Sequence, residues 1–514
     1  MWYLYLVFLN MLVKNKVVGI GNLIFIFLFS TYAANELNAQ QYVVGTAEED
    51  SIRREQLAGN FNPNVSMAVR PLENTFSGKK TCFSILPITI TTRLNTNRPF
   101  GWNDGSMLLT NGFQMQVRAG FYARWRLLEI QLAPEWVFAA NSSYDTSVNW
   151  GSNTGGSYRR LFPGQSSIGL RLGPVSVGFS TQNLWWGPGI RSSLLMSNNA
   201  PGFLHAYIRS NRPVKTPIGH FEWQLIGSRL EADVNRPYEN MNIKLSGERY
   251  PADWRYQSAF VFSYQPRWVS GLFLGMTRTL QRYQQDIGLG GGGFLQQYIP
   301  VLTKAFQKKN AQNDDAENTD QLASFFFRWL LPKSGVEVYG EWGYNDYKQN
   351  IRDYIMDATH SAAYIVGIQK LIKKPRYQLL IGAEITKTAE SASNLLRGAG
   401  NWYVHGGDNG YTHNNQILGV GAGFGSNLQS FRLHYLPEGE KGYPVQFQFD
   451  RIVRDPNSSS TRWVDYSWQL QSRLRKNRWT LLPLLGLVYA RNYLWEDGSH
   501  SLNLQVELGS VYSF

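Results

Sequence analysis

The sequence contains a single cysteine, Cys82, among 514 residues. One cysteine excludes an intrachain disulfide, a paired redox motif and a zinc site built from several thiolates. Past the N-terminal segment there is also no apolar run of about 20 residues, the length that a membrane-spanning helix requires. Cys82 lies at the edge of an apolar strand pattern and is interpreted as a small hydrophobic residue.

Acidic residues are few as well. The chain has 37 Asp and Glu against 50 Lys and Arg, which gives a formal net charge of +13. Such an excess favours an acidic partner, here a polyanionic glycan or the phosphates of lipopolysaccharide, and nucleic acid is not expected for an exported chain. Aromatic residues, in contrast, make up 14% of the sequence, and glycines number 48. This composition is typical of many strands that face lipid on one side.

The N-terminus has the pattern of a cleaved signal peptide. Two lysines precede an apolar stretch over residues 17–29, and small residues follow it. We expect residues 1–39 to be removed, with cleavage after Ala33 as the alternative and Met11 as an alternative start. No cysteine follows either cleavage site, so the sequence does not predict a lipoprotein.

Residues 40–82 are interpreted as a periplasmic N-terminal segment with one short helix. Within it, residues 47–57 carry acidic side chains first and arginines later, which is the order that a helix dipole favours. The remaining residues, 83–514, are assigned to a barrel in the bacterial outer membrane for the following reason.

From residue 83 onward, apolar side chains alternate with polar ones. Every odd position in residues 113–125 is apolar, and residues 128–138 repeat the pattern after a short turn. Both segments can cross a bilayer, for which a tilted strand needs about 9–11 residues, whereas strands of soluble proteins average roughly 5–6 residues. Lipid cannot hydrogen-bond to an open sheet edge, so the sheet has to close on itself. The pattern predicts an all-β transmembrane barrel.

The number of strands follows from a parity rule. Nineteen alternating segments can be counted, but a bacterial single-chain barrel has an even number. We interpret residues 416–424 and 430–436 as one interrupted strand, which gives about eighteen antiparallel strands. A missed strand near residues 402–405, which would give twenty, is the alternative. Short turns alternate with long connections between the predicted strands. The long connections are therefore expected at the external end of the barrel, at residues 95–111, 139–166, 184–202, 231–256, 281–321 and 345–361.

The longest of these connections, residues 281–321, contains a glycine run at 290–293. The run lacks the Lys-Ser/Thr pair of a phosphate-binding loop and is interpreted as a hinge. The middle part, residues 298–309, is predicted to form a short helix.

Three of the external segments combine aromatic rings with amide, carboxylate or guanidinium groups. Aromatic faces can lie against the apolar face of a sugar ring, and the planar polar groups can bind its hydroxyls or acidic groups. The alternative is that the tryptophans belong to the interfacial girdle or plug the barrel mouth. The candidate glycan-binding residues are Trp102, Asn103, Asp104, Trp185, Trp186, Arg191, Asn198, Asn199, Tyr411 and His413.

No motif predicts catalysis, a metal site or a cofactor. The seven histidines are scattered and show no HExxH spacing. His405, Asp408 and His413 form one small cluster, which we interpret as part of a polar loop. The chain is therefore predicted not to be an enzyme.

The chain ends on Phe514, with Tyr512 two residues before it. This pair resembles the recognition tail of outer-membrane barrels. We therefore expect the barrel-assembly machinery to be a partner during biogenesis, and outer-membrane lipid and lipopolysaccharide to be the surroundings of the finished barrel.

Seven segments together resemble the Wzi family of outer-membrane proteins involved in capsule assembly. In chain order they are GWNDG (101–105), NLWWGPG (183–189), SNNAP (197–201), KTPIG (215–219), DWR (253–255), GYTH (410–413) and GFGSN (423–427). The resemblance implies an eighteen-stranded barrel with a small periplasmic helical element, and a lectin-like protein that attaches capsular polysaccharide or exopolysaccharide to the cell surface. It implies no catalytic residue. The connection 281–321 is longer than in the enterobacterial members, so the glycan need not be the same.

A porin or solute channel is the alternative function. A barrel of this size can hold a water-filled lumen, and Arg118 and Arg124 would then face it and favour anions. An outer-membrane enzyme is a third hypothesis, for which the histidine cluster is the one sequence feature available.

Overall fold

The computed structural model describes residues 42–72, 81–143, 156–232, 253–288, 293–303, 319–345, 361–389, 402–403, 410–423, 425–438, 442–454 and 461–514. The expected signal peptide lies outside these residues, as do His405 and Asp408.

The described strands form one closed antiparallel barrel of eighteen strands. Four of them are interrupted by a short irregular stretch, and we number both parts of such a strand together. Strand β1 pairs with β2 on one side and with β18 on the other, for example at Thr89 and Val511, so the sheet has no free edge. In chain order the strands are β1 (Thr81–Asn95), β2 (Gly112–Trp125), β3 (Leu128–Leu132 and Glu135–Ala139), β4 (Tyr158–Phe162 and Ser167–Leu172), β5 (Val175–Ser180), β6 (His205–Ser210 and Val214–Thr216), β7 (Gly219–Leu230), β8 (Arg255–Pro266), β9 (Leu272–Tyr283), β10 (Asp320–Leu331), β11 (Val336–Asn345), β12 (Ala362–Lys374), β13 (Tyr377–Lys387), β14 (Ser426–Pro437), β15 (Val445–Arg454), β16 (Trp463–Ser472 and Leu474–Lys476), β17 (Trp479–Arg491) and β18 (His500–Tyr512).

The two faces of the barrel wall follow the alternation in the sequence. On β18, Leu502, Leu504 and Val506 are exposed on the outer face, whereas Asn503 and Gln505 are buried inside. Successive side chains of a strand point to opposite faces, so one register gives an apolar exterior and a polar interior. This is the arrangement of a barrel that sits in lipid. The prediction of an all-β barrel of about eighteen strands is confirmed.

Short turns and long connections lie at opposite ends of the barrel, as predicted. The turns after β2 and β16 contain Arg126 and Asn477 with positive φ, and the turn after β4 contains Gly173 with φ 68°. The expectation for residues 416–424 is wrong, however. Gln416–Ile417 pairs only with Thr412–His413, in a small hairpin inside the barrel, and the wall strand β14 begins at Ser426. The predicted number of eighteen strands is correct because Gln416–Ile417 does not belong to the wall, and not because residues 416–424 and 430–436 form one interrupted strand.

The N-terminal segment contains the predicted helix, α1, at Ala47–Ala58. Its first turn is acidic, and it ends at Gly59, whose φ of 82° is readily adopted by glycine. Leu57 is buried in an apolar cluster with wall residues of four strands near the short turns, namely Phe273, Leu330, Leu371 and Leu380. Helix α1 therefore lies within the short-turn end of the barrel. Within the described ranges, no helix is both long and apolar enough to span a membrane.

Candidate functional site

The interior of the barrel is filled by several segments that we call the plug, defined as residues 42–72, 96–111, 181–204, 402–403 and 410–423. Its parts come from both ends of the barrel. The N-terminal segment enters beside the short turns, and the others are connections between strands at the opposite end. Val69–Arg70 pairs with Trp185–Trp186 in a two-stranded antiparallel sheet, so the two sets meet inside the lumen.

The plug and the wall share one hydrophobic core. Plug residues such as Phe100, Trp186 and Leu194 pack in a single cluster with wall residues such as Ile226 and Ile365. Wall members of this cluster come from nine of the strands, at Tyr207, Ile226, Ala259, Val261, Leu322, Phe326, Tyr339, Ala363, Ile365, Leu428, Ile452 and Val488. The lumen is therefore packed with side chains at this level, in the way that a soluble domain is packed.

Six of the ten predicted site residues meet in the plug. Asn103 donates from Nδ2 to the carbonyl oxygen of Arg191 at 2.9 Å, and its own carbonyl accepts from Asn198 Nδ2 at 3.0 Å. The backbone NH of Asn103 donates to Asn199 Oδ1 at 3.3 Å. The Arg191 guanidinium lies over the ring of Trp102, 4.2 Å from its centroid.

Asp104, the sixth of these residues, faces the wall. It accepts two hydrogen bonds from Arg93 of β1, at 2.5 and 2.6 Å, and Arg93 also contacts Glu507 of β18 at 2.6 Å. Two-point pairing of this kind holds the guanidinium and the carboxylate in one relative orientation, in addition to bringing their opposite charges together. Segments 101–105 and 197–201 are thus held together by side-chain amides and fixed to the wall by an ion-pair network.

Trp185 and Trp186 are buried in the core. The guanidinium of Arg70 lies 4.5 Å from the centre of the Trp185 ring, and Trp186 Nε1 donates to Gln224 Oε1 of β7 at 3.3 Å. Both side chains are at most 2% exposed, so protein atoms occupy the ring faces that a sugar would need. Residues 95–111 and 184–202 connect strands at the external end, as predicted, and they fold into the lumen, so the structure agrees with the alternative in which these tryptophans plug the barrel.

Tyr411 and His413 lie in another plug segment, residues 410–423, and Tyr411 belongs to the same hydrophobic core as Trp102 and Trp186. Tyr411 stacks on Tyr403 with 6.0 Å between ring centroids and accepts a hydrogen bond from Gln257 of β8. His413 Nδ1 accepts from the backbone NH of Glu231 at 3.1 Å, and Nε2 contacts Asn414 Nδ2 at 2.8 Å. Both residues are buried. Their ring and polar atoms contact the protein itself, and sugar contact by any of the ten residues stays a prediction.

The structure also joins residues that sequence patterns did not single out. Glu384 Oε2 accepts from the backbone NH groups of Ile190 and Arg191, at 2.7 and 3.1 Å, and from the Tyr339 hydroxyl at 2.9 Å. Arg191 Nη2 pairs with Asp450 of β15 at 2.6 Å. The available signal was a charged residue at an inward position of an otherwise alternating strand, as at Glu384 and Asp450.

A cavity of about 270 Å³ lies between the plug and the part of the wall formed by β11–β18 and β1. It is lined by Trp102, Asn103, Asp104, Trp185 and Arg191, and by amide side chains of the wall at Gln369, Gln446, Gln448, Gln469, Gln471 and Gln505. Ligand pockets usually measure about 300–1,000 Å³. The cavity is therefore just below the usual size of a ligand pocket, and its lining offers many hydrogen-bond donors and acceptors. Two larger cavities, of about 750 and 550 Å³, lie between the N-terminal segment and the short-turn end of the wall.

A family model for the capsule assembly protein Wzi matches residues 100–460, which is more than half of the chain. The chain belongs to the Wzi capsule-assembly family. The match begins in the plug and includes the segments that meet at Asn103, so it covers both the wall and the interior described above. The predicted family and the outer-membrane location are confirmed.

A solved structure shows the same fold. Wzi of Escherichia coli, described as an outer-membrane, carbohydrate-binding β-barrel involved in group 1 capsule assembly, matches with a TM-score of 0.62 at 14% identity, covering 92% of this chain and 100% of that chain. OccK7 of Pseudomonas aeruginosa matches with a TM-score of 0.41 at 10% identity, covering 84% of this chain and 99% of that one. OccAB3 of Acinetobacter baumannii matches with a TM-score of 0.43 at 10% identity, covering 84% of this chain and 99% of that chain. No curated protein sequence matches this chain.

In this Wzi-family chain, α1 contributes charges to the interior. Glu49 and Arg70 form an ion pair of 3.4 Å that is almost fully buried. Burial raises the pKa of Glu49, although Arg70 acts in the opposite direction. Burial also lowers the pKa of Arg70 to about 10, although Glu49 opposes this shift. Removal from water destabilises each charged form, and their contact compensates in part. Within the described ranges, no three His, Cys, Asp or Glu side chains form a group that could hold a metal ion.

Proposed function

We propose that this chain binds capsular polysaccharide or exopolysaccharide and holds it at the surface of the outer membrane. The observation that carries this proposal is membership of the Wzi capsule-assembly family. The E. coli member with the same fold is described as carbohydrate-binding, which supports a saccharide partner for this chain. We further propose that binding, not catalysis, is its role, and that it needs no cofactor.

The filled lumen supports a binding protein over a channel. A porin conducts through a water-filled interior, whereas here one hydrophobic core links the plug to nine wall strands. Arg118 and Arg124 lie on the inward face of β2, as the channel hypothesis expected, but each pairs with a glutamate, Glu135 and Glu129 respectively, at 3.5 Å. The long connections then serve as a platform at the external end, with the plug fixing their bases.

The charge of the chain favours an acidic glycan. A net charge of +13 attracts uronate or phosphate groups, and such attraction weakens as salt screens it. The same charge suits contact with lipopolysaccharide phosphates. For biogenesis, we propose that the barrel-assembly machinery binds the C-terminal end, where Tyr512 and the exposed Phe514 make an edge-to-face contact of 5.3 Å.

Deletion of the gene tests the cellular role. We expect the deletion strain to make normal amounts of polysaccharide but to release most of it into the medium, and a plasmid copy to restore attachment. A deletion strain that keeps wild-type levels of cell-bound polysaccharide would contradict the proposal.

Binding by the purified protein tests the partner and the site. We expect the dissociation constant for the cell's own polysaccharide to rise with salt. If the glycan contacts Asn103 or Asn199, Asn→Ala at either position should weaken binding roughly two- to tenfold, as expected from a hydrogen bond worth about 0.5–1.5 kcal/mol. Gln285→Ala, at an exposed external position, is the matched control. Unchanged binding by both Asn variants would remove these residues from the site and leave the cellular role to be decided by the deletion strain.

A further inference from the structure

The connection between β9 and β10 carries two short helices, α2 (Phe294–Tyr298) and α3 (Pro300–Thr303). The sequence predicted a single helix over residues 298–309, and the described part differs from that. Helix α3 packs against β8 and β9.

The register of β8 and β9 shows which face the helices cover. On β9, Leu272, Leu274 and Met276 alternate with the buried interior residue Phe273, so even-numbered residues face outward. Leu280 belongs to this outward set but is 2% exposed, and its partner on β8, Ser258, is 1% exposed. Both side chains must therefore be covered from the outer side of the barrel wall, where α3 contacts β8 and β9. The two helices therefore lie on the outer wall of the barrel and not in the lumen, at the external end of β9.

Two outward-facing arginines confirm this placement. Arg278 of β9 donates to the carbonyl oxygen of Val301 at 3.2 Å and to Gln321 Oε1 at 3.1 Å. Arg282 donates to the carbonyl oxygen of Gln297. An arginine on the outer face would otherwise face lipid, where its charge is poorly tolerated. The carbonyl groups of α2 and α3 accept these hydrogen bonds, so the helices and the arginines stabilise each other.

The side of the helices that faces away from the barrel is apolar. Phe294, Leu295 and Leu302 are 70%, 59% and 42% exposed, and Tyr298 is 39% exposed. Their surface continues the outer apolar belt of the neighbouring strands, which includes Leu274, Phe325 and Phe327. Four large apolar side chains in water would be costly, whereas the belt beside them is the lipid-facing surface of the barrel.

We propose that α2 and α3 are a membrane-contacting element whose apolar side chains insert into the hydrocarbon of the outer leaflet. The occupant is lipid acyl chain, because the apolar patch adjoins the lipid belt and lies on the same outer face. The element enlarges the lipid-facing surface beside β8–β10 and holds the base of the long connection against the membrane. This role is independent of polysaccharide binding.

Site-directed fluorescence tests the proposal on the full chain. In a Cys82→Ser background, a single cysteine replaces Leu295 or Leu302 and carries an environment-sensitive fluorophore. The protein is reconstituted into phosphatidylcholine vesicles that contain a doxyl-labelled acyl chain, and iodide is the aqueous quencher. Val366→Cys, on the outer face of β12, is the lipid control, and Asp497→Cys, in the exposed connection between β17 and β18, is the water control.

We expect labels at positions 295 and 302 to be quenched by the doxyl lipid at least half as strongly as the label at position 366, and to be protected from iodide. Stronger quenching by iodide than by lipid at both positions, as at position 497, would overturn the proposal. Folding of each variant is verified by its heat-dependent gel mobility, and either position alone decides the question if the other variant does not fold.

Discussion

The contact between α1 and the barrel wall centres on a buried carboxylate, Glu337 of β11. Its Oε1 accepts from Arg53 Nε of α1 at 2.6 Å and from Gln369 Nε2 at 2.5 Å. Its Oε2 accepts from Arg328 Nε of β10 at 2.8 Å. The side chains of Glu337, Arg53 and Arg328 are 0%, 4% and 0% exposed. One carboxylate thus pairs with two buried guanidinium groups, one from the plug and one from the wall.

Glu337→Gln removes the charge and keeps the shape. Breaking a buried ion pair by neutralising one partner usually costs about 3–5 kcal/mol, because the other charge is left uncompensated. Glutamine retains one acceptor oxygen, so we expect the lower end, about 3 kcal/mol, which is roughly a hundredfold in an equilibrium constant. Arg53 can regain water only if α1 leaves the wall. The amides of α1 should therefore lose roughly a hundredfold in hydrogen-exchange protection, measured by mass spectrometry.

The matched control is Glu48→Gln on the same helix. Glu48 pairs with Arg473 of β16 at 3.1 Å, but the two side chains are 51% and 37% exposed. An exposed ion pair contributes at most about 1 kcal/mol, so protection should fall less than about fivefold. Equal losses in the two variants, or no loss with Glu337→Gln, would refute the argument that burial of this charge network holds the helix.

Two further substitutions test other parts of the fold. Leu57→Ala removes the apolar contact of α1 and should destabilise its docking by about 2.7–5 kcal/mol, measured by the same exchange experiment; a change below about 1 kcal/mol would mean that Leu57 is not packed as described. Ile368→Arg places a charge on the outer face of β12 and should lower the free energy of unfolding in lipid vesicles by up to about 2–4 kcal/mol. An unchanged urea midpoint for this variant would contradict the outward assignment of Ile368.

Much of the wall could be predicted from the sequence because its signal is local. The alternation in residues 113–125 predicts a strand, its length and which side chains face lipid, without knowledge of the neighbouring strands. The observed strand β2 spans Gly112–Trp125. Helix α1 was predictable in the same way, from the acidic residues of its first turn. The prediction for residues 416–424 was wrong because Ile417, Leu418 and Val420 are apolar for a different reason, namely burial in the plug core.

The site was harder to predict because its geometry depends on contacts between distant segments. The sequence of a polar connection that contains a tryptophan looks the same whether the ring stacks on a sugar or packs in the lumen. Only the fold shows that Trp185 stacks on Arg70. Asn103 lies far from Arg191 and Asn199 in sequence, and the hydrogen bonds that join it to these two candidate residues were not foreseeable. Glu384 was missed because one acidic residue at an inward strand position is a weak signal by itself.

One hydrophobic core closes the lumen between the plug and the wall, so we expect this Wzi-family barrel to act as a binding platform and not as a pore. Single-channel recording on the purified wild-type protein in planar bilayers distinguishes the two. We predict silent membranes at moderate voltage, and discrete openings only when docking of the plug is weakened, as in Glu337→Gln. Steady conductance by the folded wild-type protein, of the size that an unobstructed barrel would give, would contradict the claim.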